Sequence, residues 1–208
     1  MSRWRALLAA GLLALLAACS AKRAEPLPPG TVVLALGDSL TAGYGLAPEQ
    51  AWPAQLAART GWKVVNGSVS GDTAADALAR LPALLDGHAP KLVLIALGGN
   101  DMLRKLPEAR TRSDLTRIVA LVRGAQGQPV LLATPKPSVA GAVFQSLAAP
   151  PFYADLAKEQ KTPLIEEAIP DVLSNPDFKL DPLHPNAEGQ AALAGKVFDD
   201  LRRLGYVR

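Results

Sequence analysis

Leu92-Val93-Leu94-Ile95-Ala96-Leu97 is an unbroken apolar run, closed by Gly98-Gly99-Asn100-Asp101. Six residues is the length of a strand, and the lack of polar alternation marks a strand buried on both faces. Outward from it, helical periodicity occupies 73–85 on one side and 113–123 on the other. In the second of these, Leu115, Ile118, Val119 and Val122 fall at i, i+3, i+4 and i+7 and make one apolar face. Thr111-Arg112-Ser113-Asp114 offers a cap at its start.

The same alternation runs through the chain. Further strands are expected at 31–36, 62–65, 130–133 and 164–165, and further helices near 49–59, 152–160 and 187–204. Strand and helix in strict succession predict an α/β fold, a parallel sheet covered on both faces with right-handed crossovers. Ligands of such sheets bind beyond the carboxyl ends of the strands, where the winding reverses. Chemistry is therefore sought in the segments that follow strands.

Before the first strand the chain has a different character. Arg3 and Arg5 precede an apolar run from Ala6 to Ala18, which ends at Leu16-Ala17-Ala18-Cys19. The order charged, apolar, small is that of a secretory signal, and the run is shorter than the roughly 20 residues a membrane span needs. The chain's single cysteine stands where the lipobox of bacterial lipoproteins has its own, which implies lipidation of Cys19 after removal of residues 1–18. Acyl chains there would hold the protein to a membrane. Residues 19–30, polar and proline-rich after the cysteine, read as a tether, and 31–208 as one domain. Ser20 in place of aspartate after the cysteine favours the outer membrane over the inner, with the domain facing the periplasm.

Of the formal charge of +3, Arg3 and Arg5 contribute two, so the part after residue 18 carries +1. No basic stripe interleaved with aromatics is present, and no nucleic-acid partner is expected. Without a second cysteine there is no intrachain disulfide. A monomer is expected.

Four post-strand segments carry polar groups: Gly37-Asp38-Ser39-Leu40, the stretch around Ser70-Gly71-Asp72, Gly98-Gly99-Asn100-Asp101, and Asp181-Pro182-Leu183-His184. A serine needs a neighbouring base to become a nucleophile. Of the two histidines, His88 precedes the third strand, at the opposite edge, whereas His184 follows the fifth. Asp181, at i−3 from His184, is placed to accept the imidazole Nδ1–H and steady an imidazolium; the spacing alone fits better a capped turn with His184 at the surface. Acyl transfer also needs donors for the developing oxyanion. The Ser39 N–H at a helix start, the unobstructed Gly71 N–H and the Asn100 side-chain amide supply three. Gly71 alone reads as a turn and Asn100 alone as a loop cap; with Ser39 and His184 they complete an acyl-transfer set.

These four blocks, in this order, resemble those of the SGNH (GDSL) hydrolases, and their spacing is similar to that of the bacterial thioesterase, protease and lysophospholipase branch, which includes arylesterases. The resemblance covers nearly all of 31–208. It implies a flavodoxin-like three-layer α/β/α fold with a five-stranded parallel sheet. By motif position it implies Ser39 as nucleophile, His184 as base, Asp181 as its orienter, and Ser39, Gly71 and Asn100 as the oxyanion hole. The implied substrate is a small acyl ester, thioester or lysophospholipid, and no metal or organic cofactor is implied. Leu103 and Leu106, after Asn100, resemble contacts of an acyl-pocket loop, though both also fit plain core packing. Pro135-Lys136-Pro137-Ser138-Val139 departs from the branch and leaves acyl-length preference open.

Other readings remain at this stage. A carbohydrate acetyl-esterase of the same family is the nearest competitor. A nucleotide or flavin module would need a phosphate cradle after the first strand, where Asp38 stands instead. A surface-anchored binding protein without catalysis would be expected to lack one of the residues above.

Overall fold

The computed structural model describes residues 24–136 and 146–208. Five strands, β1 (Val32–Gly37), β2 (Lys63–Asn66), β3 (Leu92–Ala96), β4 (Gln128–Leu132) and β5 (Leu164–Ile165), form one sheet in the order β2-β1-β3-β4-β5. Every pairing is parallel. The helices are α1 (Ser39–Ala42), α2 (Trp52–Thr60), α3 (Ala74–His88), α4 (Gly99–Leu103), α5 (Glu108–Gly124), α6 (Phe152–Gln160), α7 (Ala168–Ser174) and α8 (Ala187–Leu204).

Strand pleat divides the core in two. Val33, Ala35, Leu92, Leu94, Ala96, Val130 and Leu132 point to one face, where α2, α7 and α8 cover them. Their neighbours in sequence, Leu34, Leu36, Val93, Ile95, Leu97, Leu131 and Ala133, point to the other, under α3, α5 and α6. Successive side chains on a strand alternate faces, so a continuous apolar run is what a sheet sandwiched between helices requires. The α/β fold with a five-stranded parallel sheet is as expected. The reversal of winding falls between β1 and β3, which puts the binding edge at the ends of those strands.

Boundaries differ where caps differ. The third expected helix, α5, begins at Glu108 rather than Ser113, after Pro107. Thr111 does not cap it: its side chain is the first member of the buried stripe that continues through Leu115, Ile118, Val119 and Val122. α3 does open on a capping box, in which Thr73 Oγ1 accepts from the Asp76 N–H and Asp76 Oδ2 accepts from the Thr73 N–H. β4 begins at Gln128, two residues earlier than read. α1 opens at Ser39, where a helix start was expected, whereas the short helices α4 and α7 were not anticipated, because five to seven residues give periodicity too little length. The signal residues 1–18, Cys19 and Pro137-Ser138-Val139 lie outside the described residues.

Candidate active site

β1 delivers its last residue, Gly37, into a tight turn. A Cβ there would stand 2.4 Å from Thr41 Oγ1 and 3.0 Å from the Ala96 carbonyl, so a side chain would push α1 off the sheet. Asp38 follows as N-cap, its Oδ1 accepting from the Leu40 N–H at 3.0 Å. Ser39 opens α1 beside the neighbouring strand end.

His184 reaches this point from far along the chain. It follows β5 only after α7 and a turn at Pro176–Phe178, in a loop pinched shut by the Lys179–Pro185 bridge. The Asp181–His184 segment is a bend, not a turn of helix. Asp181 Oδ1 instead accepts from the Leu183 and His184 N–H groups at 2.7 and 2.9 Å, folding the carboxylate back toward the ring. His184 Nδ1 lies 2.8 Å from Asp181 Oδ2, and Nε2 lies 3.0 Å from Ser39 Oγ. Partial burial opposes ionisation of Asp181, but the bonds from the His184 ring and from the two N–H groups outweigh it and hold the carboxyl below its ordinary range.

A buried side chain locks the two halves in register. Gln190, in the second turn of α8, accepts from the Trp52 N–H at 2.8 Å and donates to the Leu40 carbonyl at 3.0 Å. The start of α8, only a few residues after His184, is thereby tied to the helix that carries Ser39.

Gly71 and Asn100 complete the edge. Gly71 sits at φ +89 in the loop between β2 and α3, a conformation that glycine adopts freely. Arg80 clamps that loop from α3, bonding Asp72 Oδ2 at 2.8 Å and the Gly67 carbonyl at 2.7 Å. Arg104 clamps it from the end of α4, donating to the Gly71 carbonyl at 2.7 Å. No acceptor for the Ser39 or Gly71 N–H is found among the described residues. The Asn100 amide is engaged twice: Nδ2 donates to the Asp72 carbonyl at 3.0 Å and to Asp38 Oδ2 at 3.2 Å. Burial pushes the Asp38 carboxyl up to about 6, against the pull of the Leu40 N–H and the His184 charge.

A cavity of about 670 Å³ opens beside Ser39 and His184, within the size range of small-ligand sites. Leu40, Leu103, Leu147, Leu173 and Leu183 give it an apolar wall. Leu103 is thus at the cavity, but Leu106 is not among its lining residues and sits half-buried beyond it. The sequence reading gave no role to Tyr44, Arg104 or Gln190. Gln190 carries no local signal, since its partners lie 138 and 150 residues away. Tyr44 carried one, an aromatic between two glycines. Among the described residues no group of three or more histidine, cysteine or carboxylate side chains is arranged to hold a metal ion.

Hydroxyl, imidazole and carboxylate in a hydrogen-bonded file, at the switch point of a parallel sheet, define a serine hydrolase. The model of the GDSL-like lipase/acylhydrolase family matches residues 35–192. The chain is 39% identical over 175 residues to thioesterase 1/protease 1/lysophospholipase L1 of Escherichia coli (strain K12), covering 83% of this chain and 84% of that protein. It is 35% identical over 208 residues to esterase TesA of Pseudomonas aeruginosa, covering 96% and 99%. A crystal structure of TesA superposes with a TM-score of 0.74 at 34% identity, over 84% of this chain and 99% of that one. The chain belongs to the GDSL-like lipase/acylhydrolase family, and it is a carboxylic ester hydrolase.

Proposed function

We propose that Ser39 is the nucleophile of this esterase, His184 its general base and acid, and Asp181 the group that orients and stabilises the imidazolium. The 3.0 Å separation of Ser39 Oγ from His184 Nε2 carries this reading. Ser39 Oγ attacks the ester carbonyl as its proton passes to Nε2. The carbonyl oxygen becomes an oxyanion, which the Ser39 and Gly71 N–H groups meet. Asn100 joins them by releasing the longer of its two bonds, that to Asp38. Donors of this kind contribute about 2.7–4 kcal/mol each. The C–O bond to the leaving group then breaks, and the departing alkoxide takes the proton from Nε2. Water then attacks the acyl carbonyl as it loses a proton to the same nitrogen, the bond from the acyl carbon to Ser39 Oγ breaks, and Nε2 returns the proton to Oγ as the acid leaves.

The apolar wall of Leu40, Leu103, Leu147 and Leu173 suits a hydrocarbon acyl chain better than a sugar, which favours acyl esters over acetylated carbohydrate. The name of the E. coli relative extends the substrates worth testing to thioesters and lysophospholipids. The protein is delivered to the bacterial envelope by residues 1–18 and held there by lipid on Cys19, facing the periplasm, with the outer membrane favoured. The signal grammar of that segment supports this, and no helix among the described residues is long and apolar enough to cross a membrane.

Hydrolysis of p-nitrophenyl esters of increasing acyl length tests the assignment. Ser39→Ala is expected to lower kcat by at least about a thousandfold and to abolish labelling by a fluorophosphonate probe. Near-native turnover by Ser39→Ala would refute it.

A further inference from the structure

Both ring nitrogens of His184 are committed, Nδ1 to Asp181 and Nε2 to Ser39. The ring is joined to its backbone only through the Cβ–Cγ bond of a loop residue, so small side-chain rotations can still tilt its plane. Tilt turns the Nε2 lone pair away from Ser39 Oγ, and hydrogen bonds weaken with misalignment. A contact on the ring face restrains that tilt.

Tyr44 makes that contact. Its ring stacks on the imidazole with centroids 4.4 Å apart and planes inclined by 30°. The ring is not there for burial, since 51% of the residue's surface is exposed. It is placed by backbone. Gly43 and Gly45 both lie in the left-handed region, at φ +79 and +76. A Cβ on Gly43 would stand 2.7 Å from the Ala51 Cβ, and one on Gly45 would stand 2.7 Å from Leu180 Cδ2. The Gly43 and Tyr44 N–H groups both return to the Ser39 carbonyl at 3.2 Å. Immediately after the helix that presents Ser39, the chain is bent twice in a way few residues permit, and the bend lays an aromatic face on the imidazole.

We infer that Tyr44 is a positioning residue for His184: it fixes the imidazole plane and favours the imidazolium formed as Ser39 gives up its proton. The inference rests on the reading of His184 as the base. An aromatic face attracts a cation through its quadrupole, more weakly at exposed sites than at buried ones. The other charged groups facing the ring are Asp181, on its own loop, and Asp38, at the end of β1. Both carboxyls remain when Tyr44 is changed, so substitution isolates the ring's effect.

Steady-state hydrolysis of a short p-nitrophenyl ester, measured across pH for Tyr44→Leu and Tyr44→Phe, tests this. Tyr44→Leu is expected to lower kcat about two- to fivefold. With the charged imidazole less favoured, the acid limb of kcat/KM moves to lower pH by about half a unit. Tyr44→Phe keeps the ring face and restores most of both. A residue that only shapes the cavity would change KM and acyl-length preference and leave the pH profile in place, and that result would overturn the inference. So would a Tyr44→Phe variant as impaired as Tyr44→Leu. Failure of the underlying reading registers separately, as retained turnover in His184→Ala.

Discussion

Asp38 is buried to 2% exposure between the Leu40 N–H and the Asn100 amide, with no cation bonded to it. Two neutral donors offset only part of the cost of burying its charge, so the folded protein holds the proton up to about pH 6, where a solvent-exposed aspartate releases it near 3.8. The stability contributed by this residue is therefore fully present below about pH 3.8 and is lost as pH rises through about 6. The displacement corresponds to about 3 kcal/mol. Asp38→Asn removes that dependence at the expense of a misdirected amide hydrogen. Thermal unfolding of both proteins from about pH 4 to 7 is expected to show their stabilities diverging in the variant's favour by up to that amount; parallel curves would show that Asp38 ionises without penalty. At this scale the sequence was informative about Ser39 and His184, because only two histidines were available and one lay at the wrong edge. It was silent about the second bond of Asn100, which depends on Asp38 and the Asp72 carbonyl converging from two different strand ends.

Elements carry the geometry that single residues cannot. Nothing covalent near the site holds α8 against α1, and the Gln190 amide does so by satisfying the Trp52 N–H and the Leu40 carbonyl in a dry interior. Gln190→Leu leaves both backbone groups unpaired, and each such group costs about 1–3 kcal/mol. Chemical denaturation is expected to show a loss of about 2–6 kcal/mol. Because the slack falls between Ser39 and His184, kcat should drop while KM for a short ester changes little. Unaltered stability would mean that the two bonds hold nothing. The strands were legible to within two residues, and β1, β3 and β4, at the centre of the sheet, most plainly so, because burial on both faces leaves an apolar run. The start of α5 was misread because Thr-Arg-Ser-Asp has the composition of a cap, while the buried surface under Thr111 extends the helix back to Pro107. α8 was read in full, since Asn186 caps its start and Gly205 ends it in the left-handed region.

The whole molecule adds a constraint that none of its parts contains. Within the segment read as a tether, Ala24 donates to the Leu204 carbonyl at 3.1 Å and Leu27 to the Tyr206 carbonyl at 2.9 Å. The Leu27 carbonyl accepts from the Trp62 indole at 3.3 Å. Ala24 is thus fastened at the far end of α8, whose near end begins beside His184. A helix of 18 residues spans about 27 Å, so the cavity mouth and the fastening point lie on opposite edges of the domain. From Cys19 to Ala24 there are five residue steps, with a reach of at most about 17 Å. With Cys19 lipidated as proposed, a mouth laid flat on the anchoring bilayer would lift Ala24 farther from it than the chain extends. The anchored enzyme is therefore expected to draw substrate from the aqueous side. Lipidated protein reconstituted in vesicles should hydrolyse a soluble ester as fast as the Cys19→Ala protein does, yet act poorly on an ester embedded in the same bilayer. Inserting 20 Gly/Ser residues after Arg23 adds about 25 Å of reach and should raise the bilayer rate several-fold without changing the soluble one. Equal bilayer rates with and without the insert would defeat the orientation argument. Absence of Cys19-dependent incorporation of labelled palmitate would instead defeat the anchor on which it stands.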